Sequence, residues 1–137
     1  MIGILIVGHG DFAEGLIDNS KLIVGNQKNI ESVSLYSGDS IDEFDKKVSD
    51  KINELLVEDG LIIFTDIYGA TPFNSCCRVI SGKDVSNNIK IISGVSVPML
   101  ITAILERSES NLDELKSLIM ESGKEGIKEV FDQLGGN

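Results

Sequence analysis

Short runs of apolar, largely β-branched residues alternate with amphipathic stretches along the whole of this 137-residue chain. Residues 2–7 and 61–65 contain no charged side chain, and such runs are typical of strands buried on both faces of a sheet. Residues 30–36 and 89–93 predict two further strands. Strands that alternate with helices at this spacing favour a parallel sheet covered on both faces. We therefore predict a doubly wound α/β fold with strand order 2-1-3-4.

The stretches between and after these runs have apolar residues at helical spacing. They predict five helices, at residues 12–24, 42–57, 71–80, 98–107 and 111–122. Gly123 and Gly126 interrupt the pattern after the fifth helix, and residues 127–131 fit a strand as well as a helix. Because the chain has no internal repeat and no linker-like tract, we predict a single domain over residues 1–137.

The composition argues against several classes of protein. A net charge of −10 is unsuited to a nucleic-acid-binding surface, which needs clustered lysine and arginine. No apolar run approaches the roughly 20 residues of a membrane span, and the N-terminus lacks the basic region of a signal peptide. Cys76 and Cys77 are neighbours in a predicted helix and point in different directions, so an ordinary disulfide between them is not expected. We therefore expect a cytoplasmic protein that does not insert into the membrane.

His9 is the only histidine in the sequence, and it follows the first predicted strand between Gly8 and Gly10. Histidine is the side chain that can carry or accept a group near neutral pH. In a doubly wound sheet of this order, the carboxyl ends of strands one and three are neighbours and open a crevice in which ligands bind. Asp66 directly follows the third predicted strand. We therefore expect His9 and Asp66 to meet in that crevice.

A histidine beside an aspartate suits phosphoryl transfer. The Asp66 carboxylate can accept the proton of Nδ1, which leaves Nε2 of His9 as the nucleophile. A helix N-terminus and the hydroxyl of Thr71 can donate hydrogen bonds to a phosphoryl group. Gly8 and Gly10 allow the backbone to approach that group closely, and this chemistry requires no metal.

Other interpretations stay open at this point. Residues 8–13 match the G-x-G-x-x-A form of a nucleotide-binding fingerprint, which suits a flavodoxin-like module for a small ligand, although an imidazole crowds that turn. Asp66 also resembles the phosphoacceptor of receiver domains, but the acidic pair that those domains carry after strand one is absent. The purely structural alternatives are a surface role for His9, a turn or cap role for Asp66 and an N-cap role for Thr71. The sequence contains neither a P-loop nor a G-x-S-x-G elbow.

Three motifs, in order along the chain, resemble the IIA domain of the mannose-family sugar phosphotransferase system. They are residues 7–10 with 13–16, residues 65–74 and residues 94–100, and residues 121–126 are similar to the C-terminal segment of the family. The resemblance implies a phosphocarrier that takes a phosphoryl group from HPr onto Nε2 of His9 and passes it to a IIB component. That component phosphorylates a sugar that enters through the membrane subunits IIC and IID. No cofactor is implied.

The resemblance also implies roles for individual residues. Asp66 is expected to orient His9 and stabilise its charge during transfer, and Thr71 is expected to bind the phosphoryl oxygens. The residues expected to line the phosphate- and partner-binding surface are Gly8, Gly10, Gly69, Ala70, Phe73 and Asn74. The family is dimeric and exchanges a C-terminal strand between subunits, and residues 127–131 are expected to provide that strand in a homodimer here.

The chain departs from the family pattern at a few positions. Ala70 replaces a glycine, Ser96 replaces an asparagine common in the family, and Ile-Tyr at residues 67–68 replaces a version with tryptophan. A related branch of the family donates phosphoryl groups to dihydroxyacetone kinase, and residues 72–74 and 98–100 favour the sugar-transport branch over it. Because the sequence ends soon after the domain, we expect the IIB component to be a separate chain.

Overall fold

The computed structural model describes residues 1–81, 83 and 87–135. This part of the chain contains four strands, which are β1 (Gly3–His9), β2 (Ile30–Leu35), β3 (Leu61–Thr65) and β4 (Ile89–Ile92). All neighbouring strands are parallel, and they form one sheet in the order β2-β1-β3-β4. The predicted doubly wound α/β fold and its strand order are confirmed.

Helices connect the strands and follow the last one. They are α1 (Phe12–Val24), α2 (Ile41–Leu55), α3 (Thr71–Ile80), α4 (Val97–Glu106), α5 (Leu112–Glu125) and α6 (Val130–Leu134). The first five correspond to the five predicted helices. The hydroxyl of Ser40 caps α2 by accepting a hydrogen bond from the backbone N–H of Glu43, and Asn111 and Glu114 form a capping box at the start of α5.

Both central strands are apolar on both faces because helices cover each face. Ile4 and Ile6 of β1 belong to the core beneath α1, α4 and α5, while Leu5 and Val7 belong to the core beneath α2 and α3. All four side chains are fully buried. The helix after β1 therefore packs on one face of the sheet and the helix after β3 packs on the other, which opens a crevice at the carboxyl ends of these strands.

Helix α5 continues past its predicted end at residue 122 and reaches Glu125. A Cβ atom at Gly123 would lie 2.8 Å from Sδ of Met99, and one at Gly126 would lie 2.9 Å from Cγ of Pro98. The prediction that Gly123 interrupts the helix is wrong, because this glycine lets α5 approach the start of α4 closely. Gly126 occupies the C-cap, so the helix ends there.

The C-terminal segment forms a short helix in the single chain. Residues 127–129 have no regular structure and α6 follows them, so the strand expected at residues 127–131 is not present. A strand needs hydrogen-bond partners on a neighbouring strand, whereas α6 satisfies backbone groups locally. The N–H groups of Gln133 and Gly135 donate to the carbonyl oxygens of Glu129 and Phe131.

Cys76 and Cys77 are free thiols, as the sequence predicts. Cys76 is buried in the core beneath α2 and α3, and this burial raises the pKa of its thiol to about 12. The thiol is therefore protonated at neutral pH and packs as a small apolar group.

Arg107 follows α4 and is a buried cation, with 2% of its surface exposed. Its guanidinium donates hydrogen bonds to the carbonyl oxygens of Ile2 (3.2 Å), Lys28 (2.7 Å) and Asn29 (3.4 Å). These carbonyls precede β1 and β2, so one side chain ties together the amino ends of two neighbouring strands. Burial lowers the pKa of Arg107 from its ordinary value.

We expect Arg107→Ala to lower the free energy of unfolding by about 3 kcal/mol, because it leaves buried carbonyl groups without their donor. Urea titration at neutral pH measures this loss. Arg107→Lys retains the charge but cannot reproduce the planar set of donors, so we expect a smaller loss. An alanine variant as stable as the wild type would contradict the assignment.

Candidate functional site

The crevice holds a histidine–aspartate pair. His9 is the last residue of β1, and Asp66 is the first residue after β3. Nδ1 of His9 lies 2.6 Å from Oδ2 of Asp66, and the backbone N–H of His9 donates to the same oxygen at 2.9 Å. The N–H of Ile67 donates to the other carboxylate oxygen at 2.9 Å. The predicted meeting of the two side chains in this crevice is confirmed.

The protonation of the pair follows from these contacts. Burial of Asp66 opposes its ionisation, but the hydrogen bonds from the backbone and ring of His9 outweigh it, and the pKa of Asp66 lies below its ordinary value of 3.8. The ionised carboxylate assigns the ring proton to Nδ1, so Nε2 carries the lone pair. The His9 side chain is 48% exposed and that of Asp66 only 16%. Nε2 therefore belongs to a ring that solvent can reach.

Two glycines shape the turn that carries His9. A Cβ atom at Gly8 would lie 3.3 Å from Oδ2 of Asp66 and 3.4 Å from the ring of Phe12, so a side chain there would crowd the carboxylate. Gly10 has φ of +55°, a conformation that favours glycine, and its N–H donates to the carbonyl oxygen of Leu35 at 2.8 Å. The backbone around His9 is therefore close to Asp66 and fixed to the end of β2.

The loop from Asp66 to α3 is braced by its own side chains. The side-chain amide of Asn74 donates to the carbonyl oxygen of Gly69 at 3.0 Å, and Gly69 adopts φ of +80°. The rings of Tyr68 and Phe73 pack with their centroids 4.6 Å apart. Phe73 and Asn74, which were expected on the phosphate- and partner-binding surface, thus contact the loop beside the site.

Thr71 is the first residue of α3 rather than its N-cap, so the N-cap interpretation of Thr71 is wrong. Ala70 occupies the N-cap and its side chain makes no hydrogen bond to the helix. The following Pro72 removes one backbone donor from the first turn. The N-terminus of α3 is therefore left without a side-chain cap, next to the loop that begins at Asp66.

A second polar pair, which the sequence pattern does not predict, follows the ends of β1 and β2. The hydroxyl of Tyr36 donates to Oδ1 of Asp11 at 2.7 Å, and the N–H of Tyr36 donates to Oδ2 of Asp39 at 2.8 Å. The hydrogen bond to Asp11 raises the pKa of Tyr36 above its ordinary value. The register of the parallel strands pairs His9 with Leu35 and so brings the two following turns together, and the sequence alone does not give that register.

Exposed apolar side chains flank the pair. Tyr68 is 76% exposed, and Phe12, Tyr36 and Ile67 are also exposed. The ring of Phe12 would lie 3.4 Å from a Cβ atom at Gly8, and Ile67 follows Asp66 directly. An exposed apolar surface beside polar reactive groups is typical of a protein interaction site.

Comparison of the chain with known proteins identifies its family. The model of the PTS system fructose IIA component family matches residues 3–120. The chain belongs to this family. None of the helices in the described ranges is both long and apolar enough to cross a lipid bilayer.

Relatives of this PTS IIA family member include the mannose-specific EIIAB component of Escherichia coli K12. It is 30% identical over 128 residues, which make up 93% of this chain but 39% of that relative. The fructose-specific EIIA component of Bacillus subtilis is 28% identical over 115 residues, which make up 84% of this chain and 77% of that relative. The crystal structure of phosphotransferase system component EIIA from Streptococcus agalactiae matches with a TM-score of 0.82 and 29% identity, covering 95% of this chain and 98% of that one.

We expect Asp66→Asn to reduce stability in a pH-dependent way. Because the folded state lowers the pKa of Asp66, its carboxylate stabilises the fold above the ordinary value of 3.8, and this contribution is lost as the pH falls through the folded-state value. The variant should be less stable than the wild type by about 1–2 kcal/mol at neutral pH. Urea titrations across the acid range should show the difference shrinking.

The matched control is Asp18→Asn, since Asp18 is an exposed acid on α1. Its effect should be small at every pH in the series. A difference between Asp66→Asn and the wild type that stays constant down to strongly acidic pH would contradict the assigned ionisation.

Proposed function

We propose that this chain is a phosphohistidine carrier of a sugar phosphotransferase system. It accepts a phosphoryl group from phospho-HPr on Nε2 of His9 and passes it to a IIB component, which serves the membrane subunits IIC and IID. The observation that carries the proposal is the His9–Asp66 pair in the crevice, with Nδ1 held at 2.6 Å from a carboxylate oxygen. Membership of the IIA family supports this function over a nucleotide-binding module or a dihydroxyacetone kinase subunit. The reaction takes place in the cytoplasm.

The transfer step is a displacement at phosphorus. The lone pair of Nε2 of His9 forms the new N–P bond, while the bond between phosphorus and the donor breaks and its electron pair leaves with the donor. The imidazole becomes positively charged and keeps its Nδ1 proton, which the ionised Asp66 accepts as a hydrogen bond. Transfer to the IIB component is the same displacement, with Nε2 as the leaving group. Asp66 thus stabilises the charge that exists while the phosphoryl group is bound.

The groups around His9 suit a phosphoryl ligand. The N-terminus of α3 has no side-chain cap, so its free N–H groups can donate to phosphoryl oxygens. The hydroxyl of Thr71 starts the same helix and supplies a further donor. Because Gly8 and Gly10 have no side chains, the backbone on each side of His9 can approach the phosphoryl group closely. The mechanism uses no metal or cofactor.

The surface around the pair suits a protein partner rather than a small substrate. His9 is half-exposed, and exposed apolar side chains follow each member of the pair along the chain: Phe12 comes three residues after His9, and Ile67 and Tyr68 directly follow Asp66. A protein that donates or accepts the phosphoryl group can bury these side chains while its reactive atom reaches Nε2. The net charge of −10 favours partners with a basic surface.

Incubation with enzyme I, HPr and phosphoenolpyruvate should phosphorylate the chain on nitrogen, which gives an acid-labile phosphate. We expect His9→Ala to abolish the label because it removes the nucleophile. Label that persists in His9→Ala but is lost in Asp66→Asn would instead indicate an aspartyl phosphate of the receiver type. Absence of label on the wild type would overturn the proposed function.

Asp66→Asn should remain folded and accept the phosphoryl group about 10- to 100-fold more slowly, the loss expected for one hydrogen bond to a charged group. Rapid quenching of the reaction with phospho-HPr measures the rate. Asp18→Asn, which changes the same charge on the exposed part of α1, should react at the wild-type rate.

We also propose that the protein is a homodimer that exchanges its C-terminal segment. The support is that Ile127, Val130, Phe131 and Leu134 are all exposed in the single chain, and Ile127 is 86% exposed. β4 is an edge strand of the sheet, so it has a free edge on which a strand from a second copy can pair. Pairing there would bury these apolar side chains.

Light scattering at micromolar concentration should give the mass of a dimer. Removal of residues 127–137 should give a monomer, because it deletes the apolar segment. Leu22→Ser is the matched control, since Leu22 is as exposed on α1 but lies outside the segment. A full-length chain with the mass of a monomer would contradict the dimer.

A further inference from the structure

The end of β1 and the turn after it carry two polar side chains, which contact the two opposite neighbours of that strand. The ring of His9 contacts Asp66, which follows β3. The carboxylate of Asp11 contacts Tyr36, which follows β2. Since β2 and β3 flank β1 on its two edges, the nucleophile and the nearby carboxylate are drawn apart.

Asp11 occupies a position in which its carboxylate would ordinarily bind the helix. It is the N-cap of α1, yet its side chain makes no capping hydrogen bond. Aspartate at an N-cap usually accepts a bond from a backbone N–H of the first turn. Here the carboxylate instead accepts a hydrogen bond from the Tyr36 hydroxyl at 2.7 Å. The N–H groups at the start of α1, three residues after His9, are left without a side-chain acceptor.

The backbone on each side of this contact is fixed independently of it. The N–H of Gly10 donates to the carbonyl oxygen of Leu35, and the N–H of Tyr36 donates to Asp39. Loss of the Tyr36 hydroxyl therefore leaves the backbone contacts in place and releases only the carboxylate of Asp11. In the described part of the chain, the Tyr36 hydroxyl is the only group that hydrogen-bonds this carboxylate.

A phosphoryl group on His9 brings additional negative charge to this turn. A carboxylate free to move in the same turn would repel it and would compete for the N–H groups at the start of α1. We propose that Tyr36 is a positioning residue for phosphoryl transfer, which holds the Asp11 carboxylate on the β2 side, away from the phosphoryl group on His9. This inference rests on the proposed carrier function.

The test is the equilibrium between phospho-HPr and this protein at a fixed ratio of phosphorylated to free HPr. Tyr36→Phe should lower the equilibrium constant for phosphorylation of His9 by about three- to tenfold, the effect of one partly exposed charge. Adding Asp11→Ala to Tyr36→Phe should restore the wild-type constant, because alanine neither caps the helix nor carries charge. The matched control, Tyr36→Phe with Asp18→Ala, makes the same charge change farther along α1 and should not restore it.

The outcomes separate this inference from the function on which it rests. A wild-type protein that takes no phosphate would remove the proposed function itself. If the wild type is phosphorylated and Tyr36→Phe matches it, the positioning role is wrong. The role is equally wrong if Asp18→Ala restores the constant as well as Asp11→Ala does. Should Tyr36→Phe fail to fold, Asp11→Ala alone decides, since it should be phosphorylated at least as fully as the wild type and a loss would overturn the inference.

Discussion

The pairing of β1 with β2 on one edge and with β3 on the other is the constraint on which the site depends. The register pairs His9 with Leu35 and Val7 with Thr65, so β1 and β2 end level with each other, and β3 ends two residues earlier with Asp66 beside the end of β1. Each polar side chain of the site is then placed by the turn that follows its strand. Because all the strands run in the same direction, residues that are far apart in the sequence lie together at the carboxyl ends of neighbouring strands.

Hydrophobic alternation cannot by itself hold this register. β1 is apolar on both faces, so a shift by one residue would still bury apolar side chains. Glycines near the two ends of β1 restrict the register further. A Cβ atom at Gly3 would lie 2.5 Å from the carbonyl oxygen of Leu55, and one at Gly8 would crowd Asp66. Only the observed register places a glycine both beside the carbonyl oxygen of Leu55 and beside the carboxylate of Asp66.

The sequence predicted those features that depend on local pattern and on general rules of parallel sheets. Strand order, the first five helices and the meeting of His9 with Asp66 all follow from the alternation of elements and the geometry of the switch point. Features that depend on a particular tertiary contact were missed. Gly123 was taken for a helix end because glycine is a poor helix former, yet its contact with Met99 requires it inside α5. The Tyr36–Asp11 bond could be found only once the register was known. Residues 127–131 fit a strand as well as a helix by pattern, and in the single chain the local hydrogen bonds of α6 decide the outcome.

The distance along the sequence between His9 and Asp66 has a consequence for synthesis of the protein. The ribosome releases His9 long before residue 66, and during that interval β1 and β2 can pair while the imidazole lacks its carboxylate partner. Loop closure over 57 residues must precede assembly of the pair. A nascent or truncated chain that lacks β3 therefore carries His9 without its carboxylate partner, and the pair can form only once β3 has joined β1.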